Sequence, residues 1–204
     1  EWKPILGAIP PLSDADWAAA FEKYKQIPEY HLVNKGMALA DFKFIFWWEW
    51  SHRFLGRMIG LVFALPLAFF WWTARIRTGL GPRLLGLLGL GALQGAIGWY
   101  MVSSGLSERV DVSQYRLALH LSVAFAILSL LVWLALEERA HRIGVVPEVV
   151  VPRVRRLAAV VLGLVFLQVA LGAFVAGLKA GLVYNTWPSM NGQLVPSDYV
   201  VEGR

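Results

Sequence analysis

The sequence predicts an all-α, polytopic membrane helical bundle. Three observations carry that expectation: an apolar composition, four apolar stretches of bilayer-crossing length, and arginine gathered into two of the loops. Hydrophobic residues make up 57% of the 204 residues, charged residues 16%, and mean hydropathy is +0.55. A soluble domain carries about 25% charged residues. Ten tryptophans and eleven phenylalanines add apolar area. A water-soluble globule and a disordered chain are both excluded. The chain has no cysteine, which removes disulfides, thiolate metal sites, iron–sulfur clusters and cysteine nucleophiles.

Residues 1–53 read as an outer-side segment, polar with amphipathic stretches such as Trp17–Tyr24. Glu1-Trp2-Lys3-Pro4 lacks the basic and long apolar regions of a signal peptide. Neither end reads as a natural terminus, so a piece of a longer protein is expected. Residues 54–178 form a four-helix transmembrane region, with spans at 54–73, 84–103, 117–136 and 157–178. Each is near the ~20 residues that cross the hydrocarbon core. Each is expected to be a helix, because an open sheet cannot satisfy its backbone in lipid. Pro66 is tolerable inside the first span and is a candidate kink. Trp47, Trp48, Trp50, Trp71, Trp72, Trp99 and Trp133 cluster towards span ends, as an interfacial aromatic belt does. Residues 179–204 read as an outer-side loop leading to a C-terminal half beyond this sequence.

Charge sets the expected orientation. One loop holds Arg75, Arg77 and Arg83; another holds Arg139, Arg142, Arg153, Arg155 and Arg156, with Glu137, Glu138 and Glu148. The other non-membrane segments together are about three times longer and hold eleven acidic residues, more than their basic ones. By the positive-inside rule the two arginine-rich loops face the cytoplasm, or the matrix of a mitochondrion. The inner membrane is the expected location, crossed several times. The net charge of +5 is then a topology signal and implies no nucleic acid.

Leu93-Gln94 and Gly98 recur as Leu167-Gln168 and Gly172 at an offset of 74. A duplicated helical unit and a chance match of two glycine-rich helices explain this equally well. Gln94 and Gln168 lie in mid-span, where interhelical hydrogen bonds are expected.

Two histidines lie at matched depth near the outer side, His52 opening the first span and His120 about one turn into the third. Neutral imidazole is a common metal and haem ligand. Taken singly, His52 is as well explained as an interfacial residue and His120 as a hydrogen-bonded packing residue. Matched depth favours ligands, since ionisable groups in spans are costly and usually functional. His52, Gly56 and Gly60 fall at i, i+4 and i+8, so one helical face sets an imidazole above two residues without side chains. That face has room for a flat macrocycle; it also fits a small-residue helix-packing face. Arg116 lies one turn outward from His120, and Arg53 and Arg57 share another face of the first span. These arginines can pair two propionates; interfacial snorkelling explains Arg53 and Arg116 equally. Glu49 is a helical neighbour of both His52 and Arg53. It suits proton transfer or stabilisation of a developing cation, and equally a simple ion pair with Arg53. His31 and His141 read as surface residues.

Trp48-Glu49-Trp50-Ser51-His52-Arg53-Phe54-Leu55-Gly56-Arg57-Met58-Ile59-Gly60 resembles the signature around the second helix of the heme A synthase family. Glu1-Trp2-Lys3-Pro4-Ile5 through Pro10-Pro11-Leu12-Ser13 resembles the outer segment after that family's first helix. Leu93-Gln94-Gly95-Ala96-Ile97-Gly98-Trp99-Tyr100-Met101-Val102, Asp111-Val112-Ser113-Gln114-Tyr115-Arg116-Leu117-Ala118-Leu119-His120 and Asn185-Thr186-Trp187-Pro188 continue the likeness over essentially the whole chain. It looks most like the alphaproteobacterial and mitochondrial branch.

The resemblance implies an eight-helix protein of two similar halves, each with a histidine pair for one haem, and makes the four spans here helices two to five. His52 and His120 then match the metal-ligating pair of the first half, where substrate haem O is expected. A haem b cofactor would belong mainly to the half not represented here. Arg53, Gly56, Arg57, Gly60 and Arg116 match the cofactor-binding surroundings, and Glu49 the catalytic acidic position. The implied reaction oxidises the C8 methyl of haem O to the formyl of haem A, through two hydroxylations and loss of water, for haem–copper terminal oxidases. The fragment alone is expected to be inactive. Implied partners are haem O, the lipid bilayer, haem O synthase and an electron donor; a homo-oligomer stays open. A cysteine pair found in many bacterial relatives has no counterpart here, so a thiol relay does not carry over. Two rivals remain at this point: a bis-histidine diheme electron carrier of the cytochrome b561 kind, and a small-molecule transporter suggested by the weak repeat.

The charge asymmetry makes a direct prediction. With Ser104→Cys and Arg142→Cys placed singly in this cysteine-free chain, an impermeant thiol reagent at the outer face should label only position 104. Labelling of 142 instead would invert the orientation.

Overall fold

The computed structural model describes residues 9–103, 110, 112–144 and 151–195. Glu1–Ala8, Ser104, Asp111 and Glu148, named above, lie outside these residues. Among the described residues the regular elements are helices: α1 (Asp14–Tyr24), α2 (Pro28–Leu32), α3 (Leu39–Trp72), α4 (Leu80–Ser103), α5 (Gln114–Arg142) and α6 (Pro152–Gly177). A short 3-10 turn follows at Ala180–Leu182. Four of these helices, α3 to α6, are long and apolar enough to cross a membrane. The expected all-α, polytopic membrane architecture is what the chain adopts.

The helices outrun the apolar stretches that announced them. At 34 residues, α3 is about 51 Å long, against a hydrocarbon core of about 30 Å. Its first fifteen residues, from Leu39, therefore project past the apolar stretch that opens at 54. They carry Trp47, Trp48, Glu49 and Trp50. The helix continues through Pro66, which lipid tolerates because neighbouring groups take up the freed carbonyl.

The projecting end of α3 is roofed by α1. Ser13 caps α1 in a reciprocal box with Asp16. The buried Trp17 and Phe21 of α1 then pack on Phe42 of α3. Trp17 meets Phe46 edge-on at 5.0 Å, and Phe21 meets Phe42 at 5.2 Å. From this cluster an aromatic ladder descends α3. Trp47 touches Trp50 at 5.4 Å, and Trp50 stacks on Phe54 at 4.8 Å with the rings 11° apart.

The spanning helices lie as sequential neighbours, α3 against α4, α4 against α5 and α5 against α6, the last pair packing most extensively. Lipid gives helices no hydrophobic reason to associate, so close packing at small residues must hold them. A Cβ on Gly177 would lie 2.8 Å from the Gln114 backbone. One turn deeper, Ala118 of α5 and Ala173 of α6 are both buried, as the antiparallel register requires. Only 6% of each span's apolar window is buried within the chain, so lipid or further protein must cover the rest.

The arginine-rich end is tied by ion pairs. Arg77, between α3 and α4, binds Glu138 near the end of α5, and Arg83 of α4 binds Glu137 at 2.6 Å. The Glu138 carboxylate beside it holds the Arg77 guanidinium above its ordinary value. Below these pairs α4 and α5 part into a groove of about 500 Å³, floored by Leu87, Leu90, Leu130 and Leu134. Arg139, His141 and Arg142 fill the last turn of α5, where cations suit the helix dipole. Gly144 then takes the left-handed conformation, φ 69°, that lets the chain leave the helix.

The expected interhelical bond at Gln94 is present, whereas Gln168 lies on an exposed face of α6. Gly98 faces a neighbouring side chain while nothing stands within 4 Å of a Cβ on Gly172. The two halves of the weak repeat therefore sit in different surroundings.

Phe42 is 5% exposed at the centre of the roof. Phe42→Ala should cost about 3 kcal/mol locally, read as faster tryptic cleavage at Lys23 and Lys25; an unchanged rate would mean that other contacts hold α1 down. The cap adds a pH dependence. The Ser13 hydroxyl holds the Asp16 carboxyl below its ordinary value. The contribution of the box is thus fully present above that ordinary value and fades only as pH falls through the lowered one. The protection of the first turn of α1 against hydrogen exchange, corrected for the intrinsic pH dependence of amide exchange, should be flat near neutrality and fall only in acid.

Candidate functional site

The site is built on three helices at the end opposite the ion pairs. His52 comes from α3 and His120 from α5, with α4 between them in sequence. The two imidazoles lie close enough for their charges to interact, although α3 and α5 do not pack extensively on each other. The two residues that matched depth had paired thus stand on helices that both pack on α4.

The surroundings of His120 are set by α4. The Gln94 amide nitrogen donates to the His120 carbonyl oxygen at 3.0 Å and lies 3.3 Å from the imidazole Nε2. One turn further along α4, Gly98 faces the ring. A Cβ there would stand 3.0 Å from His120 Cε1 and 3.6 Å from Nδ1. The ring therefore lies against bare backbone, and any side chain at 98 would move it. His120 Nδ1 and Gln94 Oε1 are buried, and neither has a hydrogen-bond partner among the described residues.

On α3 the glycine face is open. A Cβ at Gly56 or Gly60 would meet nothing within 4 Å, so no helix of this chain uses those glycines for close packing among the described residues. His52 itself is exposed.

The charged residues are already engaged, each in a way compatible with a second role. Arg53 donates to Glu49 at 3.2 Å across one turn, with Glu49 58% exposed. The ion pair considered from sequence is thus formed. Arg116 lies over the Tyr100 ring at 4.7 Å. Such stacking occupies the guanidinium face and leaves its N–H edge for an anion. Arg57 is partly buried. Burial holds the Tyr24 hydroxyl of the aromatic roof above its ordinary value, and the Glu49 charge adds to this. His31 and His141 are exposed, away from this arrangement.

Sequence reading missed the partnership of Gln94 and Gly98 with His120. Both residues stand in the Leu93–Val102 motif, and their i, i+4 spacing was the available signal. What sequence could not supply was the register between α4 and α5.

Among the described residues no three metal-ligating side chains converge. Two imidazoles are instead the donor set suited to a metal whose other positions a macrocycle already fills. The open glycine face and the bare backbone at Gly98 fit such a ligand.

The chain is 56% identical over 200 residues to a protein named heme A synthase from Maricaulis maris, covering 98% of this chain and 58% of that one. It is 53% identical to the heme A synthase of Brucella ovis, covering 97% and 54%. With that of Chelativorans sp. it shares 56% identity, covering 96% and 53%. The chain therefore spans a little over half the length of these relatives. No solved structure matches it. The model of the COX15-CtaA family, described as cytochrome oxidase assembly protein, matches residues 1–202, and on that match, with the relatives beside it, the chain belongs to this family.

Proposed function

We propose that this chain forms the substrate-binding half of a haem A synthase, in which the C8 methyl of haem O is oxidised to a formyl group. The observation that carries the reading is the setting of His120 against the bare backbone of Gly98 and the Gln94 amide, together with the His52 helix face left open at Gly56 and Gly60. The relatives' names supply the reaction class; the residues supply a means of holding its substrate.

His52 and His120 would ligate the iron of haem O from α3 and α5. Arg53, Arg57 and Arg116 would hold the propionates, which fixes the rotation of the macrocycle and therefore which methyl is presented. Glu49 stands one turn before His52 and would accept a proton or stabilise positive charge developing at the oxidised carbon. Its bond to Arg53 holds the carboxylate in orientation. A resident haem b, held mainly outside this chain, would supply the redox chemistry. The lipid-facing apolar surface suits the farnesyl tail of haem O. The site would act in the inner membrane, with haem O synthase and an electron donor as partners and a homo-oligomer as its assembly.

In the full-length protein, His52→Ala and His120→Ala should each alter the low-spin spectrum of the bound haem. Unchanged spectra and haem content in both variants would reduce the pair to packing residues. Glu49→Gln should retain haem but lower haem A formation on the order of 100-fold, with haem O or its hydroxymethyl derivative accumulating. Reversed-phase chromatography of extracted haems beside a total-haem assay reads this directly. Normal haem A yield would remove Glu49 from the reaction, and loss of all haem would make it structural. Haem b alone in the wild-type extract would point instead to an electron carrier.

A further inference from the structure

The contact between Gln94 and His120 has a direction that elementary chemistry fixes. A backbone carbonyl can only accept, so the Gln94 atom 3.0 Å from the His120 oxygen must be the NH2 group. An amide nitrogen can only donate, so the imidazole Nε2 at 3.3 Å from it must be an acceptor. The proton of the neutral ring then sits on Nδ1. Gln94 thus occupies the Nε2 lone pair, and that lone pair is what an iron would take. Gly98 lies beside the edge of the ring that carries both nitrogens, where a Cβ would stand 3.0 Å from Cε1 and 3.8 Å from Nε2, so the missing side chain leaves the ring room to sit against Gln94.

We propose that Gln94 is a stand-in partner for His120: its amide holds Nε2 when no iron is bound, yields when haem arrives, and returns as haem leaves. This rests on the reading of His120 as a haem ligand. The need for a stand-in follows from what that reading asks of the site. Substrate and product are both haems held by the same ligands, so the iron–imidazole bond must break once per turnover. In a low-dielectric setting a bared imidazole acceptor is costly. A donor already in place on α4 removes much of that cost from release. Gln94 is therefore a positioning residue that acts through His120, setting how readily haem exchanges.

The test measures haem transfer from the full-length protein in detergent to excess apomyoglobin, beside the low-spin spectrum. Gln94→Leu and Gln94→Met both remove the donor with little change in length, so failure of one to fold leaves the other. The spectrum should remain low-spin, and transfer should slow about five- to tenfold, the worth of one hydrogen bond of about 1 kcal/mol. A merely structural role would loosen the α4–α5 contact and speed transfer, and that result, or an unchanged rate, overturns the proposal. His120→Ala in the same assay separates the two levels. An unaltered haem spectrum there overturns the ligand reading and this proposal together; an altered spectrum with unchanged or faster transfer in the Gln94 variants overturns this proposal alone.

Discussion

Close approach of helix backbones is the constraint on which the rest of the molecule depends. Burying leucine against leucine gains little when the solvent is itself hydrocarbon. The exposed spans are consistent with this, since few of their side chains are covered by the chain itself. What brings α5 to α6 is the absence of a side chain at Gly177 and the small ones at Ala118 and Ala173. What brings α4 to α5 at the histidine end is the absence of one at Gly98. The candidate site inherits its dimensions from these approaches, because His120 stands on α5 within the same contact.

Polar groups supply the remaining definition, and they do so in two layers. At one end Gln94 meets His120, and at the other Arg77 and Arg83 meet Glu138 and Glu137. Between them the α4–α5 groove is apolar. A polar contact in a membrane has few alternatives with which to exchange, so each one selects a register that greasy packing alone would leave loose.

Much of this was legible in the sequence, for a physical reason. Lipid permits only helices or closed barrels, so four apolar stretches were enough to count the spans. The position of His52 above Gly56 and Gly60 was legible because helical periodicity is fixed by the backbone. The extent of α3 was not, since its first fifteen residues lie beyond the apolar stretch and owe their helicity to packing under Trp17 and Phe21. The role of Glu137 and Glu138 was hidden as well. Counting charges by loop treats them as a small offset to the arginines, whereas they bind arginines of a different loop. The partnership of Gln94 with His120 was hidden for the same reason, since contacts between helices depend on register and not on spacing along one helix. Gln168, in a similar sequence setting, turns to an exposed face.

The two polar layers have a mechanical consequence for α4. A helix held at one point can still roll about its own axis, and a one-residue roll is about 100°. Arg83 and Gln94 are eleven residues apart, close to three full turns, so both fixings lie along nearly the same line of the helix surface. Held at Arg83 and at Gln94 along one line, α4 is restrained against rolling over the eleven residues that separate the arginine layer from the imidazole.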